Sequence, residues 1–495
     1  MSHIKFVLLL IIVLTSSCNS NKIKIGQDEL AVHNVNIVDV KTGDLWENMT
    51  LIIREGKIDT IGRSSDFDLS GSNNWADGTG KYLIPGLWDM HAHLFNEATI
   101  RNVNYSLFVA NGITGIRVMA ADCLNPPCED PNMTIAQHRR LQSEIQEEQL
   151  MGPKSILASY YINGALSGES TVLQPRTEAH GRELARLLKN RDVDFIKIYD
   201  ELMPEAYYGI TDEAKKLGLD FAGHVPITLT SSYVSEAGQK SIEHCCDLVQ
   251  FLECSEIAEE MHKKVVQMFR SQQADFGYTQ VEGVNQLTIE MVRAFDSLKC
   301  KSIYDIYAKN NTWVVPTLRL FEIYYPDAED WKDAPYIKYL PKEEYDYFKD
   351  DYEPAMRRFW GPFHPLIEKK RKEIIADMHG AGVGILAGSD VGEVGLVSGF
   401  SLHEELVSLQ NAGLSAHEVL QTATLNAAKY QNALDSLGTI EKGKIADLIL
   451  LNKNPLEDIR NTQEIEAVFT NDRYLNRKDL DSLLLVVENY IKNEN

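Results

Sequence analysis

A TIM-type (β/α)8 barrel, inserted into a small β-sandwich made by the two ends of the chain, is the α/β fold class this sequence predicts. Three observations predict it. Segments of strand-like alternation stand near both ends, apolar strands alternate with amphipathic helices between them, and about 350 residues separate the two end segments, the length of a barrel rather than an open sheet. At 495 residues the chain exceeds one compact core, so a smaller unit beside the barrel is expected.

The first eighteen residues differ from the rest. Lys5 supplies a positive start, Phe6 to Leu14 form an apolar run, and Thr15-Ser16-Ser17-Cys18 follows. The run is shorter than the roughly twenty residues that span a bilayer, so it reads as a removable export signal over 1–18. Small residues before Cys18 resemble a bacterial lipobox, although Thr15 stands where Leu is usual. The expectation is an exported bacterial protein of the periplasm or outer membrane, anchored by a lipid on Cys18, with plain secretion as the alternative. Six further cysteines then lie where disulfides are permitted. Cys123 and Cys128 could close a small loop, and Cys245 and Cys246 follow His244; packing as small apolar residues is the competing reading.

Leu30 to Val40 and Leu51 to Ile61 alternate as short strands around turn residues such as Gly43-Asp44 and Gly56. Gly438 to Leu450 repeats that pattern, with Val468-Phe469 a further strand. The economical arrangement pairs 23–83 with 431–475 and leaves 84–430 as the barrel, followed by a helix over 476–495 whose Leu480, Leu483, Leu484, Val487 and Ile491 share one face. Within the barrel region Gly115 to Met119, Ser155 to Ser159, Phe195 to Tyr199, Asp220 to His224, Trp313 to Thr317 and Val383 to Ala387 read as strands. Amphipathic segments such as Arg182 to Lys189 lie between them.

A formal charge of −23 and no Lys/Arg-rich stripe argue against a nucleic-acid partner. Apart from the anchor no membrane contact is expected, and no subunit interface is legible.

The chemistry begins at Gly86-Leu87-Trp88-Asp89-Met90-His91-Ala92-His93-Leu94. Residues i and i+2 of a strand share a face, so His91 and His93 can grip one ion. In Asp194-Phe195-Ile196-Lys197-Ile198-Tyr199-Asp200 the same period turns Lys197 toward the barrel interior beside Phe195 and Tyr199. Ala222-Gly223-His224-Val225-Pro226, Ser241-Ile242-Glu243-His244-Cys245 and Ile385-Leu386-Ala387-Gly388-Ser389-Asp390 each end an apolar run on a potential ligand. Singly, each is better explained by a buried histidine or a helix cap than by a metal ligand. Together they are hard to explain as ordinary packing and capping.

The order HxH, Lys, His, His, Asp, bracketed by β segments, resembles the amidohydrolase superfamily. Leu83-Ile84-Pro85-Gly86-Leu87-Trp88-Asp89, Thr422 to Ala428 and Gly438 to Leu448 reinforce the resemblance, most closely to its imidazolonepropionase-like branch, which includes dipeptidases acting on prolyl or arginyl peptides. The resemblance implies that His91, His93 and Asp390 hold one divalent metal and His224 and His244 a second. Lys197, as a carbamate formed with carbon dioxide, would bridge the two. Zn2+ suits such nitrogen and oxygen donors best, with Mn2+, Fe2+ or Co2+ as alternatives. It also implies a bridging hydroxide as nucleophile, Asp390 as the group that moves the proton to the leaving nitrogen, and C–N cleavage of a small amide or dipeptide. Tyr199 would bind a substrate carboxylate or oxyanion, and Thr317 is a weaker candidate. The aromatic and acidic stretch from Phe321 to Phe363 reads as a lid over the mouth or a self-packed insertion. His403-Glu404-Glu405 would lie behind the ligands at most. The rival readings are a ring-amide hydrolase (lactam or imidazolone) and a catalytically silent ligand-binding lipoprotein, the second disfavoured because all six positions hold donors.

Overall fold

A computed structural model describes residues 22–27, 29–123, 133–164, 173–244, 253–271, 284–323, 334–360 and 364–494. The signal segment with Cys18, and Cys128, Cys245 and Cys246, lie outside the described residues.

Seven parallel barrel strands run Leu87–Ala92, Ile113–Val118, Lys154–Leu157, Phe195–Ile198, Asp220–Gly223, Ser241–Glu243 and Trp313–Val315. The first three form one hydrogen-bonded group and the last four another. Ala158 bridges to Phe195 and joins the groups on one side. On the other side 384–391 supplies the eighth stave: Val314 N donates to Gly384 O at 2.9 Å, Asp390 N to His91 O at 2.8 Å and His93 N to Val391 O at 2.6 Å. The ring of eight is therefore closed. The predicted strand 383–387 is the least regular of the set, because it meets its neighbours through single bridges rather than a continuous ladder.

Helices pack outside. Glu178–Asn190, capped by Thr177, lies against Pro204–Leu217, which starts on proline and stops at Gly218 in the left-handed conformation. The amphipathic period placed the first of these helices at 182–189, and its cap extends it by one turn.

The smaller unit is built on an eight-stranded sheet, with a separate two-stranded parallel sheet of Ile23–Lys24 and Phe67–Asp68. Tyr82–Pro85 pairs antiparallel with Leu448–Leu451 and parallel with Leu30–Val38, so strands from both ends of the chain share the larger sheet. Its curl encloses Val32, Val35, Leu51, Leu83, Leu450 and Phe469. Of the predicted run Gly438 to Leu450 only the end is strand; the rest turns, touching the sheet at Ile445 opposite Lys57. The last helix, Arg477–Glu494, buries Leu480, Val487 and Ile491 against the barrel's flank. Among the described residues no helix is long and apolar enough to cross a membrane.

Candidate active site

The C-terminal ends of the barrel strands carry the titratable cluster. His91 and His93 both face inward from the first strand, with ring centroids 5.3 Å apart. His91 Nε2 and His93 Nε2 each stand 3.2 Å from Asp390 Oδ1, and His244 Nδ1 stands 3.4 Å from Asp390 Oδ2. The His244 ring is 4.6 Å from both the His91 and the His224 rings. Lys197 is fully buried at the centre of this group. All six residues that the sequence singled out as ligands are thus brought together. Donor atoms of His91, His244 and Asp390 lie within 4.8 Å of one another. The histidines form one continuous cluster around Asp390 rather than two separated sets.

Two glycines allow the close approach. A side chain at Gly388 would sit 2.7 Å from the Cβ of His91, so only glycine lets the eighth stave bring Asp390 against the first strand. Gly223 has φ +138° and faces Ile198 O, where a Cβ would stand 2.1 Å away; this sets His224 beside the lysine strand. At the ends of the next three staves His244, Thr317 and Asp390 all have positive φ, at 53°, 46° and 63°. Each such non-glycine costs about 1–3 kcal/mol, held by the surrounding barrel.

Three of the four histidines are oriented from behind, while His93 Nδ1 is buried without a hydrogen bond. Glu243 lies 2.9 Å from His91 Nδ1, Asp200 lies 2.6 Å from His224 Nδ1, and Thr317 Oγ1 lies 2.9 Å from His244 Nδ1. A carboxylate at Nδ1 selects the tautomer whose Nε2 lone pair points into the site. Glu243 is itself held by Ser241 and by Arg117, whose Nη2 donates to it at 2.6 Å. Arg117 is fully buried; it also donates to Met90 O and to Tyr430, and lies over the rings of Phe195 and Tyr430. Asp89 joins the first and last staves by accepting from Ser389 N at 2.9 Å and His91 N at 3.1 Å. Arg117, Asp89, Ser389 and the roles of Glu243 and Asp200 escaped the sequence reading. Their only sequence signal was polarity inside apolar strand runs.

Burial, with repulsion from Lys197 second, holds His91 well below the usual imidazole range, so it is neutral. Burial likewise brings Lys197 down to about 8, opposed by Glu243 and Asp390. Desolvation would raise Asp390, but His244, His93 and Lys197 hold it below the usual carboxylate range. Burial pushes the Tyr199 phenol far up, so it stays protonated. Its ring lies tilted against His224 at 4.2 Å and stacks on Tyr161 at 5.0 Å, at the rim of the cluster.

His91 Nε2, His224 Nε2, Lys197 Nζ and Asp390 Oδ1 are buried and make no hydrogen bond. Buried polar atoms are rarely left so. Converging nitrogen and oxygen donors of this kind suit a divalent cation.

His403 stands elsewhere, bonded to Thr462 and Asn111 O as a packing clamp. On the same helix Glu405 is fully buried, accepting from Arg319 N at 2.7 Å while its second oxygen has no partner. Burial raises it to about 8. A carboxyl raised above its unfolded value, about 4.3, contributes stability that is complete below that value and lost as pH climbs through 8. Between pH 6 and 8 the wild type should therefore lose stability relative to Glu405→Gln, by at most about 1.4 kcal/mol per pH unit. Urea midpoints across that range check this, and equal slopes would refute it.

A barrel with a histidine, lysine and aspartate cluster at its C-terminal mouth defines the class of metal-dependent hydrolases. The model of the amidohydrolase family matches residues 82–475, and the chain belongs to that family of hydrolases acting on carbon–nitrogen bonds, whose members use divalent metals. The chain is similar to a solved bottromycin amidohydrolase at 17% identity and TM-score 0.71, over 94% of this chain and 90% of that one. A protein of Bifidobacterium longum assigned as a prolidase superposes at 22% identity and TM-score 0.61, over 93% and 98%. A Xaa-Pro dipeptidase with methionine bound in its active site does so at 19% and 0.62, over 90% and 100%. At such identities the shared property is the fold. An adenine deaminase of Clostridium perfringens is 32% identical over 90 residues, which are 18% of this chain and 16% of that protein's length.

Proposed function

We propose that this chain hydrolyses the amide bond of a dipeptide or similar small substrate at a centre of two divalent metal ions. His91, His93 and Asp390 would hold one ion and His224 and His244 the other, with Lys197 between them as a carbamate. The observation that carries the reading is the convergence of buried His91, His224, Lys197 and Asp390 atoms that make no hydrogen bond. When bound, two such ions supply Lewis acidity and lower the pKa of water toward about 7.

The chain's own residues do the rest. Glu243, Asp200 and Thr317 hold three imidazoles in one orientation. Asp390 Oδ1, facing the cluster, accepts the proton of the attacking water and returns it to the leaving nitrogen, so the C–N bond breaks and a carboxylate and an amine leave. The Tyr199 hydroxyl, kept protonated by burial, donates to a substrate carboxylate or to the oxyanion.

The same reading takes the chain as exported and lipidated at Cys18. A buried disulfide between Cys254 and Cys300 supports it, since such bonds persist outside the cytoplasm. Cys123 is disulfide-bonded as well.

Metal analysis tests the centre. Protein refolded with zinc and bicarbonate should hold about two equivalents per chain, and the Lys197→Ala variant fewer; finding no metal in the wild type overturns the reading. Dipeptides and cyclic amides offered to the loaded enzyme test the substrate, and cleavage of cyclic amides alone would replace the dipeptide.

A further inference from the structure

Beside His93 the mouth opens into a cavity of about 270 Å3, enough for one residue's side chain rather than a whole peptide. Its walls come from the segments that follow the first and last barrel staves, through Phe95 and Val391, and from the insertion after the seventh, through Tyr339, Leu340 and Glu344. Tyr339 is anchored by stacking on Phe400 at 5.5 Å, so this part of the insertion is fixed against the mouth. The lining is largely apolar, and among the described residues Glu344 is its only carboxylate.

Glu344 lies on the helix Lys342–Tyr347, where the charges around it are already matched or point elsewhere. Lys342 pairs with Asp346 one turn on, and Lys349 lies over the Tyr345 ring. Burial raises the Glu344 carboxyl to about 7, with no cation among the described residues to lower it. A half-buried carboxylate on an apolar wall, without a counter-ion among the described residues, is costly unless something arriving in the cavity supplies one.

We propose that this cavity is the subsite for an organic cation, an ammonium or guanidinium on an apolar stem, with Glu344 as its counter-ion. The stem packs on Phe95, Leu340 and Val391 while the charged head meets the carboxylate, the division of labour that long basic side chains favour. The inference rests on the reading of the mouth as an amide-hydrolysing site and names the charge of the substrate it takes. The cation is either the substrate's free N-terminus or a basic side chain, and both present the same chemistry to Glu344.

Calorimetry with n-butylguanidinium and its neutral counterpart n-pentanol, on full-length zinc-loaded protein, tests the subsite without turnover. The guanidinium should bind the wild type, bind E344Q about tenfold more weakly and fail to bind E344K, while pentanol binds all three alike. Equal guanidinium affinity for wild type and E344Q, or none for wild type, overturns the proposal. Steady-state kinetics with Lys-Ala, norleucyl-Ala and N-acetyl-norleucyl-Ala then separate the sources. A loss of kcat/KM in E344Q confined to Lys-Ala assigns the side chain, and a loss shared by both free N-termini but not the acetylated peptide assigns the terminus. A loss shared equally by all three contradicts a cation subsite. If no peptide is cleaved yet n-butylguanidinium still distinguishes wild type from E344Q, the hydrolytic reading falls and the cation subsite stands.

Discussion

Asp390→Asn should lower kcat by about 10^3-fold or more, within the range assigned to a positioned proton-transfer group, while the variant stays folded. The carboxylate stands within 3.2 Å of two histidines and 3.4 Å of a third, and opposite Lys197 in charge. An amide of the same shape keeps the packing but can neither take a proton from water nor balance the cations around it. Its backbone, at φ 63°, suits asparagine as well as aspartate, so the substitution adds no strain. Steady-state hydrolysis of the best-cleaved dipeptide, with the melting temperature as control, gives the result. An activity within tenfold of wild type would remove Asp390 from the proton path.

The largest effect on stability is expected at Glu243→Gln. Arg117 and Glu243 are both fully shielded from solvent, and each is the other's only oppositely charged partner within hydrogen-bonding distance among the described residues. Deleting the negative charge leaves a buried guanidinium uncompensated, at a cost of about 3–5 kcal/mol. The same change weakens the group that orients His91, so metal affinity should fall about 10- to 100-fold. Urea unfolding and competition with a chelator measure the two effects separately. The double variant Arg117→Met with Glu243→Gln should recover much of the stability but not the metal affinity, because it removes the stranded charge without restoring the carboxylate at His91 Nδ1. A single variant that loses less than about 1 kcal/mol would show that the pair is not the keystone of the barrel floor.

The legibility of this protein varies with the range of the interaction. Period two inside short apolar runs predicted that His91, His93 and Lys197 face the barrel interior, and they do. Strand identity was legible for the same reason, although boundaries moved by a residue or two and the stave at 383–391 is held by isolated bridges. The run Gly438 to Leu450 looked like strand because it alternates, yet its turn residues prevail over most of its length. Tyr199 reaches the rim of the cluster as its place above Lys197 implied, and Thr317, the weaker candidate for the same role, contacts His244. Cys123 is disulfide-bonded, as its place in a small loop allowed, whereas the bond between Cys254 and Cys300 joins residues 46 apart that spacing alone did not single out.

By itself the sequence determined the fold class and the inward face of His91, His93 and Lys197, because a side chain's face in a strand depends only on its immediate neighbours, whereas His224, His244 and Asp390 stood out only through the family resemblance. Tertiary structure alone decided what stands behind those residues. Glu243 meets His91 across 152 positions, Ser389 meets Asp89 across 300, and Arg117 meets Tyr430 across 313. No local period encodes such pairings; the first two exist only because closing a ring of eight staves brings the first, sixth and last into contact, and the third because the helix Leu425–Tyr430 brings Tyr430 to the second stave. The cavity at Glu344 has the same origin, since three segments distant in the chain meet only where the insertion folds back over the mouth.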